Sequence, residues 1–132
     1  MDSNEIASVE QNGLGTIRIA DDVVKVISGL AAMDIKGVAG MSGGFVGGIA
    51  ELLGRKNLAK GIKVEVGEKE AAIDLSVIID YGMRIPDVAA QIQESVKSAV
   101  ERMTGLKVIE ANVNVQGIAF ADEAKMEEHR VK

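Results

Sequence analysis

The residues with the most suggestive chemistry are five glycines within nine positions, in the stretch GMSGGFVGG from Gly40 to Gly48. A P-loop needs Gly-x4-Gly followed by Lys and Ser or Thr, because its amides wrap phosphate while the Lys and the hydroxyl reach phosphate and magnesium. No Lys follows any glycine pair here. The dinucleotide fingerprint Gly-x-Gly-x-x-Gly also fails, because GLGTIR at residues 13–18 lacks the last glycine. We therefore expect no cofactor at this stretch.

Two weaker interpretations of the glycine stretch stay open beside plain close packing or a flexible loop. Gly40-Met-Ser-Gly43 and Gly44-Phe-Val-Gly47 each match the bare Gly-x-x-Gly with which KH domains clamp an RNA backbone. Neither pattern has a basic residue inside or immediately beside it. The other interpretation is a loop that contacts a protein partner, with Gly43, Gly44, Phe45 and Gly47 as its candidate contact residues.

The sequence offers no set of residues for nucleophilic or acid–base catalysis. Its single histidine, His129, lies in the charged terminal segment DEAKMEEHRVK, and the chain has no cysteine. A catalytic triad needs a histidine held by a packed core, and a zinc site needs several fixed ligands. We therefore expect no catalytic residue, no metal site and no enzymatic activity.

Polar residues alternate along two predicted strands and share one face of the expected sheet. Asp74 and Asp80 are six residues apart, which separates them by about 20 Å along a strand and is too far for a carboxylate pair. A neighbouring strand carrying Asn112 and Asn114 would complete a polar patch. This patch is either an ordinary solvated face or a docking face for a protein. Ile78 is an apolar residue on this otherwise polar face, and it makes self-association plausible.

Charge and aromatic content argue against nucleic acid as a partner. Twenty acidic and fifteen basic residues give a net charge of −5, which repels a phosphate backbone. The chain has only two Phe and one Tyr, and alternation places Tyr81 on the core side, so no base-stacking platform is predicted. We expect protein partners.

The chain length of 132 residues fits one compact domain. The longest uncharged run, residues 37–50, is too short and too rich in glycine to span a bilayer, which needs roughly 20 apolar residues. The start MDSNEIASVEQNG lacks the basic and apolar regions of a secretory signal. We therefore expect a cytoplasmic protein without direct membrane insertion.

Apolar periodicity predicts two main helices. In the first, after a cap at Asp21 or Asp22, the predicted buried stripe recurs at spacings of three and four residues. A short helix is predicted at residues 45–54. The second main helix begins near Pro86 and ends at Gly105, with Leu106 closing the cap. The predicted stripes are Val23, Val24, Ile27, Leu30 and Ala31 in the first helix, and Ile85, Val88, Ala89, Ile92, Val96, Ala99, Val100 and Met103 in the second.

Alternating residues predict the strands. They lie at residues 15–19, 38–41, 62–66, 73–81 and 107–116. In the last strand the alternation directs Ile109, Ala111, Val113 and Val115 inward. Because each longer strand has one apolar and one polar face, we predict an α/β (α+β) two-layer sandwich. It has a mixed sheet of about four to five strands and two main helices on one face.

These segments together resemble the alkaline shock protein family, the envelope stress response proteins of Gram-positive bacteria. The resemblance rests on GTIRIADDVV, KGVAGMSGG, KGIKVEV, DYGMRIPDVAAQIQESVKSAVERMTGL and VIEANVNVQGIAF, which occur in the family's order. It divides the chain into a flexible N-terminal tail at residues 1–14, a single alkaline-shock-type domain at 15–120, and a charged C-terminal tail at 121–132.

The resemblance implies a non-enzymatic protein that acts through protein–protein contacts, as a scaffold, adaptor or regulator. Family members are held at the inner face of the cell membrane by a membrane-anchored partner, and some are linked to acetyl-CoA carboxylase and fatty-acid synthesis. Many carry a histidine near the position of Asn114, so any role of that histidine does not carry over. The alternative function is a KH-like RNA-binding module.

Overall fold

The computed structural model describes residues 6–42 and 60–120, and the side chains from residue 13 onward within those ranges. The predicted short helix at residues 45–54 lies outside them. Within the described ranges, six strands and two helices follow one another in the order β1, β2, α1, β3, β4, β5, α2, β6. Their bounds are β1 (Ile6–Asn12), β2 (Gly15–Ala20), α1 (Asp21–Met33), β3 (Val38–Met41), β4 (Ile62–Val66), β5 (Glu70–Asp80), α2 (Ile85–Thr104) and β6 (Lys107–Ala119).

Strand β5 is the centre of the main four-stranded sheet. β6 runs parallel to it along one edge, from Glu70 paired with Lys107 to Asp80 paired with Ala119. β4 and β3 are both antiparallel to β5 and pair with its first and second halves. Because β6 occupies one edge along the whole length of β5, β3 and β4 must share the other edge end to end. The sheet is therefore mixed and contains four strands.

Strands β1 and β2 form a separate two-stranded antiparallel sheet. β1 lies within the residues predicted as a flexible N-terminal tail. β2 was predicted as a strand, and it leads directly into α1.

Both helices pack on one side of the main sheet and against each other. α1 lies over β3 and β4, and α2 lies over β6. The predicted two-layer α+β architecture is therefore confirmed. Between the layers, β5 contributes four fully buried side chains at alternate positions, and α2 contributes four at a spacing of four. These are Ile73, Leu75, Val77 and Ile79 in β5, and Val88, Ile92, Val96 and Val100 in α2.

The end of α2 follows the predicted capping chemistry. Gly105 adopts the left-handed conformation with φ of 79° and donates its amide proton to the carbonyl oxygen of Glu101 at 3.0 Å. Leu106 is almost fully buried, and its amide donates to the Thr104 hydroxyl at 3.1 Å. The start of α1 differs from its prediction, because Ala20 is the N-cap and neither aspartate makes a capping hydrogen bond. Asp21 and Asp22 instead lie in the first turn, where their negative charge stabilises the helix by interacting with the positive end of its dipole.

One predicted inward residue of β6 is wrong. The pairing of Ala71 with Val108 is followed by Ala72 with Glu110, so the ladder passes over Ile109 as a β-bulge. Val108 takes the buried position and Ile109 is 53% exposed. After the bulge the predicted alternation holds, and the inward side chains of residues 111, 113 and 115 pack against the core.

The helix stripes are also partly wrong. In α1, Val24, Ile27 and Ala31 are buried as predicted, whereas Val23 and Leu30 are exposed. The reason is that apolar residues occur on two sides of α1, and only packing on the sheet selects the inward side. In α2 the predicted stripe is correct in its middle, whereas its two end residues, Ile85 and Met103, are exposed.

The Glu101 carboxylate joins the end of α2 to the start of β6. It accepts a hydrogen bond from the Lys97 ammonium at 2.8 Å and another from the Val108 amide at 2.9 Å. The Lys97 hydrogen bond first, and the Val108 amide second, hold the pKa of Glu101 below its ordinary value, against a weaker opposing effect of desolvation. The hydrogen bond to Val108 therefore fixes the first residues of β6 beside the end of α2.

A pair of alanine substitutions tests the assignment of the bulge. Leu75→Ala should lower the free energy of unfolding by about 2–5 kcal/mol, because it leaves a cavity in the core. Ile109→Ala should lower it by about 1 kcal/mol or less, because the side chain is half in water. Urea denaturation followed by circular dichroism measures both values. Equal losses for the two variants would place Ile109 in the core and contradict the bulge.

The Glu101 link predicts a pH-dependent contribution to stability. Because the pKa is lowered by folding, the stabilisation is present above the unfolded value near 4.5 and is lost as the pH falls through the folded pKa. Glu101→Gln should therefore lower the melting temperature at neutral pH, and the difference from the original protein should shrink below about pH 4.5. Thermal melts between pH 3 and 7 measure it. A difference independent of pH would mean that the carboxylate charge has no role.

Candidate protein-contact face

The side of the main sheet away from the helices is here called the open face. Its central row comes from β5, and residues from β4 and β6 flank it in register. The row consists of Ala72, Asp74, Ser76, Ile78 and Asp80, which are half-buried, flanked by the exposed Lys63, Glu65, Glu110, Asn112 and Asn114. Four of the sequence-predicted contact residues, Asp74, Ile78, Asp80 and Asn112, lie on this face, and Asn114 is aligned with Ser76 there.

The structure brings Asp74 and Asn112 together. They are register partners, and the Asn112 Nδ2 donates a hydrogen bond to the Asp74 Oδ1 at 2.7 Å. A longer contact of 3.3 Å joins the same nitrogen to the Glu110 Oε1. On the opposite edge of β5, Lys63 of β4 is the register partner of Asp74. One row of the open face therefore presents a cation, a carboxylate and an amide side by side.

Asn114 and Asp80 do not join that pair. The Asn114 Nδ2 donates to the backbone carbonyl of Leu75 at 3.3 Å, so this amide is turned onto the sheet itself. Asp80 lies at the far end of β5, where its amide donates to the Gly37 carbonyl at 2.8 Å. The two aspartates remain separated along the strand, as predicted, and no acid–base pair results.

Ile78 lies between two glycines, which sequence reasoning missed. In register it faces Gly40 on β3 and Gly117 on β6. A Cβ added to Gly117 would lie 3.8 Å from the Ile78 Cγ1, and a Cβ on Gly40 would have nothing within 4 Å. The half-buried Ile78 side chain therefore has no neighbouring side chain at its own level on either adjoining strand. Glycine inside a strand pattern was the available signal, since it marks close approach of another surface.

The glycine stretch is only partly described. Gly40, the first glycine of the Gly-x-x-Gly pattern, is a β3 residue paired with Ile78 in the sheet. A ladder residue lacks the freedom of a loop that clamps a nucleic-acid backbone. The candidate contact residues Gly43, Gly44, Phe45 and Gly47 lie outside the described residues, so the contact loop stays a prediction.

The predicted inward position of Tyr81 is wrong. β5 ends at Asp80, and the turn that follows, with Gly82 at φ of 97°, takes Tyr81 out of the alternation. Tyr81 is 69% exposed and stacks on Phe120, with ring centroids 5.0 Å apart and planes inclined by 29°. The two rings form an exposed aromatic pair at the carboxyl ends of β5 and β6.

Among residues 6–42 and 60–120, no group of three or more potential metal ligands is found. A groove of about 400 Å³ lies at the turn between β4 and β5. Its polar side chains are the carboxylates of Glu65 and Glu70, and its apolar lining includes Val64, Val66 and Ile109.

A family model for alkaline shock protein 23, described as having a cell envelope-related function, matches residues 9–120. The chain belongs to the alkaline shock protein 23 family. This match includes the whole main sheet and both helices, and therefore every described residue of the open face.

Several curated relatives of this family member agree with the match. Uncharacterized protein YqhY of Bacillus subtilis is 38% identical over 116 residues, which cover 88% of this chain and 86% of YqhY. A stress response regulator gls24 homolog of Streptococcus pyogenes serotype M3 is 34% identical over 114 residues and 86% of this chain. The chain spans 64% of the length of that streptococcal protein.

Solved structures of the MamM CTD also align with this family member. One of them matches with 16% identity over 74% of this chain and 94% of the other, at a TM-score of 0.46. A likeness at this level supports no conclusion on function. Within the described ranges of the chain, neither α1 nor α2 combines the length and the apolar character that a membrane crossing needs.

A double-mutant cycle tests whether the open-face pair is separable from the fold. Asp74→Ala and Asn112→Ala should couple by about 0.2–1 kcal/mol, because the pair is cross-strand and exposed to water. Chemical denaturation of both single variants and the double variant gives the coupling. A coupling of several kcal/mol would make the pair part of the core structure rather than a surface available for contacts.

Proposed function

We propose that this protein acts in the cell-envelope stress response through protein–protein contacts, as a non-enzymatic scaffold, adaptor or regulator. The open face is the contact surface in this proposal. Membership of the alkaline shock protein 23 family supports the envelope-related setting. The similarity to the streptococcal relative, a stress response regulator gls24 homolog, supports the regulatory part.

The observation that carries the proposal is the composition of the open face. The polar row of Lys63, Asp74 and Asn112 and the apolar Ile78 share this face, with Ser76 between Asp74 and Ile78 along β5. Contact surfaces between proteins combine an apolar centre with a hydrogen-bonding rim. The glycines beside Ile78 would let the backbone or a side chain of a partner approach the sheet closely.

The partner in this proposal is a membrane-anchored protein or a subunit of acetyl-CoA carboxylase. Binding to the first would hold the protein at the inner face of the cell membrane. Binding to the second would connect it to fatty-acid synthesis. Both partners follow from the family resemblance, and the acidic net charge of −5 supports a protein rather than a nucleic acid.

Affinity capture with matched variants tests this function. The tagged protein is incubated with separately prepared membrane and cytosolic fractions, and the retained proteins are identified by mass spectrometry. The open-face variant combines Asp74→Ala, Asp80→Ala and Asn112→Ala. The control combines Asp87→Ala, Gln91→Ala and Glu94→Ala on the exposed side of α2, so that both variants lose two carboxylates and one amide.

We expect the original protein and the control to retain a membrane-anchored protein or acetyl-CoA carboxylase subunits, and the open-face variant to lose them at least tenfold. Circular dichroism verifies that all three proteins are folded. Equal retention by the two variants would remove the open face from the proposal. Retention only of RNA-associated proteins, abolished by nuclease, would favour the KH-like alternative instead.

A further inference from the structure

The edge of β6 that faces away from β5 is here called the outer edge. Within the described ranges of the chain, β6 pairs with β5 alone. The backbone groups of successive strand residues point to opposite edges of the strand. Because the Ala111 carbonyl accepts a hydrogen bond from the Gln93 side chain of α2, the backbone groups of Ala111, Val113 and Val115 point outward. The outer edge therefore presents donors and acceptors in the register that a neighbouring strand would need.

Two side chains of α2 already take the place of such a strand at the start of β6. The Gln93 Nε2 donates to the Ala111 carbonyl oxygen at 2.8 Å, and the Glu101 carboxylate accepts from the Val108 amide at 2.9 Å. Among the described residues, no side chain does the same for the second half of the outer edge. This half is left available to the backbone of another molecule.

The outer edge also lacks the usual protection of an exposed strand. Such edges are normally blocked by a charged residue, a proline or a bulge. The run from Ala111 to Val115 is Ala-Asn-Val-Asn-Val, without charge or proline. Its two bulges lie outside this run, one at Ile109 and one between Val115 and Gly117. The bulges limit flat pairing to a short segment and disfavour pairing with a whole second strand of this length.

A groove of about 340 Å³ lies between α2 and the outer edge. The bulge places Ile109, which is 53% exposed, in the wall of this groove. Bulges next to functional sites commonly redirect a side chain in this way. A strand added to the outer edge would therefore have alternate side chains in the groove, against Ile109. The groove is lined by Ala90, Gln93, Glu94 and Lys97 of α2 and by Val108, Ile109, Glu110 and Ala111 of β6.

We propose that the outer edge of β6 binds a short extended segment of a partner protein by strand addition, with alternate side chains of that segment in the groove beside α2. In this mode of recognition the main-chain hydrogen bonds supply affinity, and the pockets for alternate side chains supply specificity. The inference does not rest on the proposed function, because it uses a strand edge and not the open face.

The charge of the groove predicts a basic residue in the bound segment. Both lysines beside the groove, Lys97 and Lys107, interact with the Glu101 carboxylate. In the described part of the chain, Glu94 and Glu110 form no ion pair with a lysine or arginine. These two exposed carboxylates line the groove and would attract a cation. We therefore expect a segment that alternates β-branched residues and carries at least one Lys or Arg.

Selection from a phage library of random heptapeptides, with the purified full chain as target, tests this binding. We expect the enriched peptides to show the alternation and the basic residue. Fluorescence anisotropy with one enriched peptide then gives the dissociation constant. A selection without enrichment would overturn the inference, and so would enriched peptides that have neither feature.

A matched pair of tyrosine substitutions on α2 locates the bound peptide. Ala90 and Ser98 are both small exposed residues of α2, and only Ala90 lines the groove. Ala90→Tyr should raise the dissociation constant at least tenfold, because the ring fills the groove, and Ser98→Tyr should leave it unchanged. Thermal melts verify that both variants are folded. Equal affinities of the two variants would remove the peptide from this groove.

Two pairs of glutamine substitutions test the charge of the site. Glu94→Gln with Glu110→Gln should raise the dissociation constant several-fold, because the basic residue then loses both carboxylates. Glu65→Gln with Glu68→Gln removes the same charge at the turn between β4 and β5, and it should have no effect. An equal loss with both pairs would show that only the net charge of the chain matters.

N-methylation of the enriched peptide separates strand addition from side-chain contacts alone. Methylating every second amide removes the donors along one edge of the peptide and leaves its side chains unchanged. One of the two alternating patterns should abolish binding, because its donors face β6, and the other should be tolerated. Equal effects of the two patterns would contradict strand addition.

A second copy of this chain is the competing occupant of the outer edge. A dimer in sedimentation equilibrium that is lost on Ala90→Tyr, together with no enriched peptide, would assign the edge to self-pairing and overturn the inference. The capture experiment above distinguishes the two surfaces. A protein that the open-face variant retains, and that the control without the Glu94 carboxylate loses, would be a ligand of this groove and not of the open face.

Discussion

Strand β5 makes hydrogen-bonded ladders along both of its edges and buries one complete row of side chains, and every other element of the main sheet is positioned by it. β6 follows its whole length in parallel, while β3 and β4 divide its other edge. The inward row excludes water from beneath both helices. Because side chains alternate along a strand, the same ladder also sets which residues point to the open face.

The two layers differ in how completely they cover the core. The helices cover the inward row of β5, whose four residues are fully buried. On the opposite side, the row that includes Asp74 and Ile78 is only half-buried, between exposed polar neighbours on β4 and β6. An alternating strand in a two-layer domain necessarily has such a second side. In this protein that side combines the hydrogen-bonded pair of Asp74 and Asn112 with an apolar Ile78 that lies between two glycines.

The helices add a second asymmetry. α2 buries one apolar side against the sheet and α1, and only Ile85 and Met103 at its two ends stay exposed in the predicted stripe. α1 has two apolar sides, and the sheet accounts for one of them.

The sequence by itself determined the class of fold, the long helix α2 with its glycine cap, the inward row of β5 and the polar face opposite it. These features follow from local periodicity and capping chemistry, and local interactions decide them. The sequence also predicted that Asp74 and Asn112 lie on one face of the sheet, because the alternation of side chains along a strand does not depend on which strand pairs with it.

Only the tertiary structure decided the features that depend on pairing between distant segments. The bulge at Ile109 exists because β6 must match the register of β5. Tyr81 lies outside the alternation because the pairing of β5 with β6 ends at Asp80. The glycines beside Ile78 come from two strands that are far apart in the chain. The packing of α1 on the sheet likewise decides which of its two apolar sides is buried. Periodicity alone cannot distinguish the side with Val24 and Ile27 from the side with Val23 and Leu30.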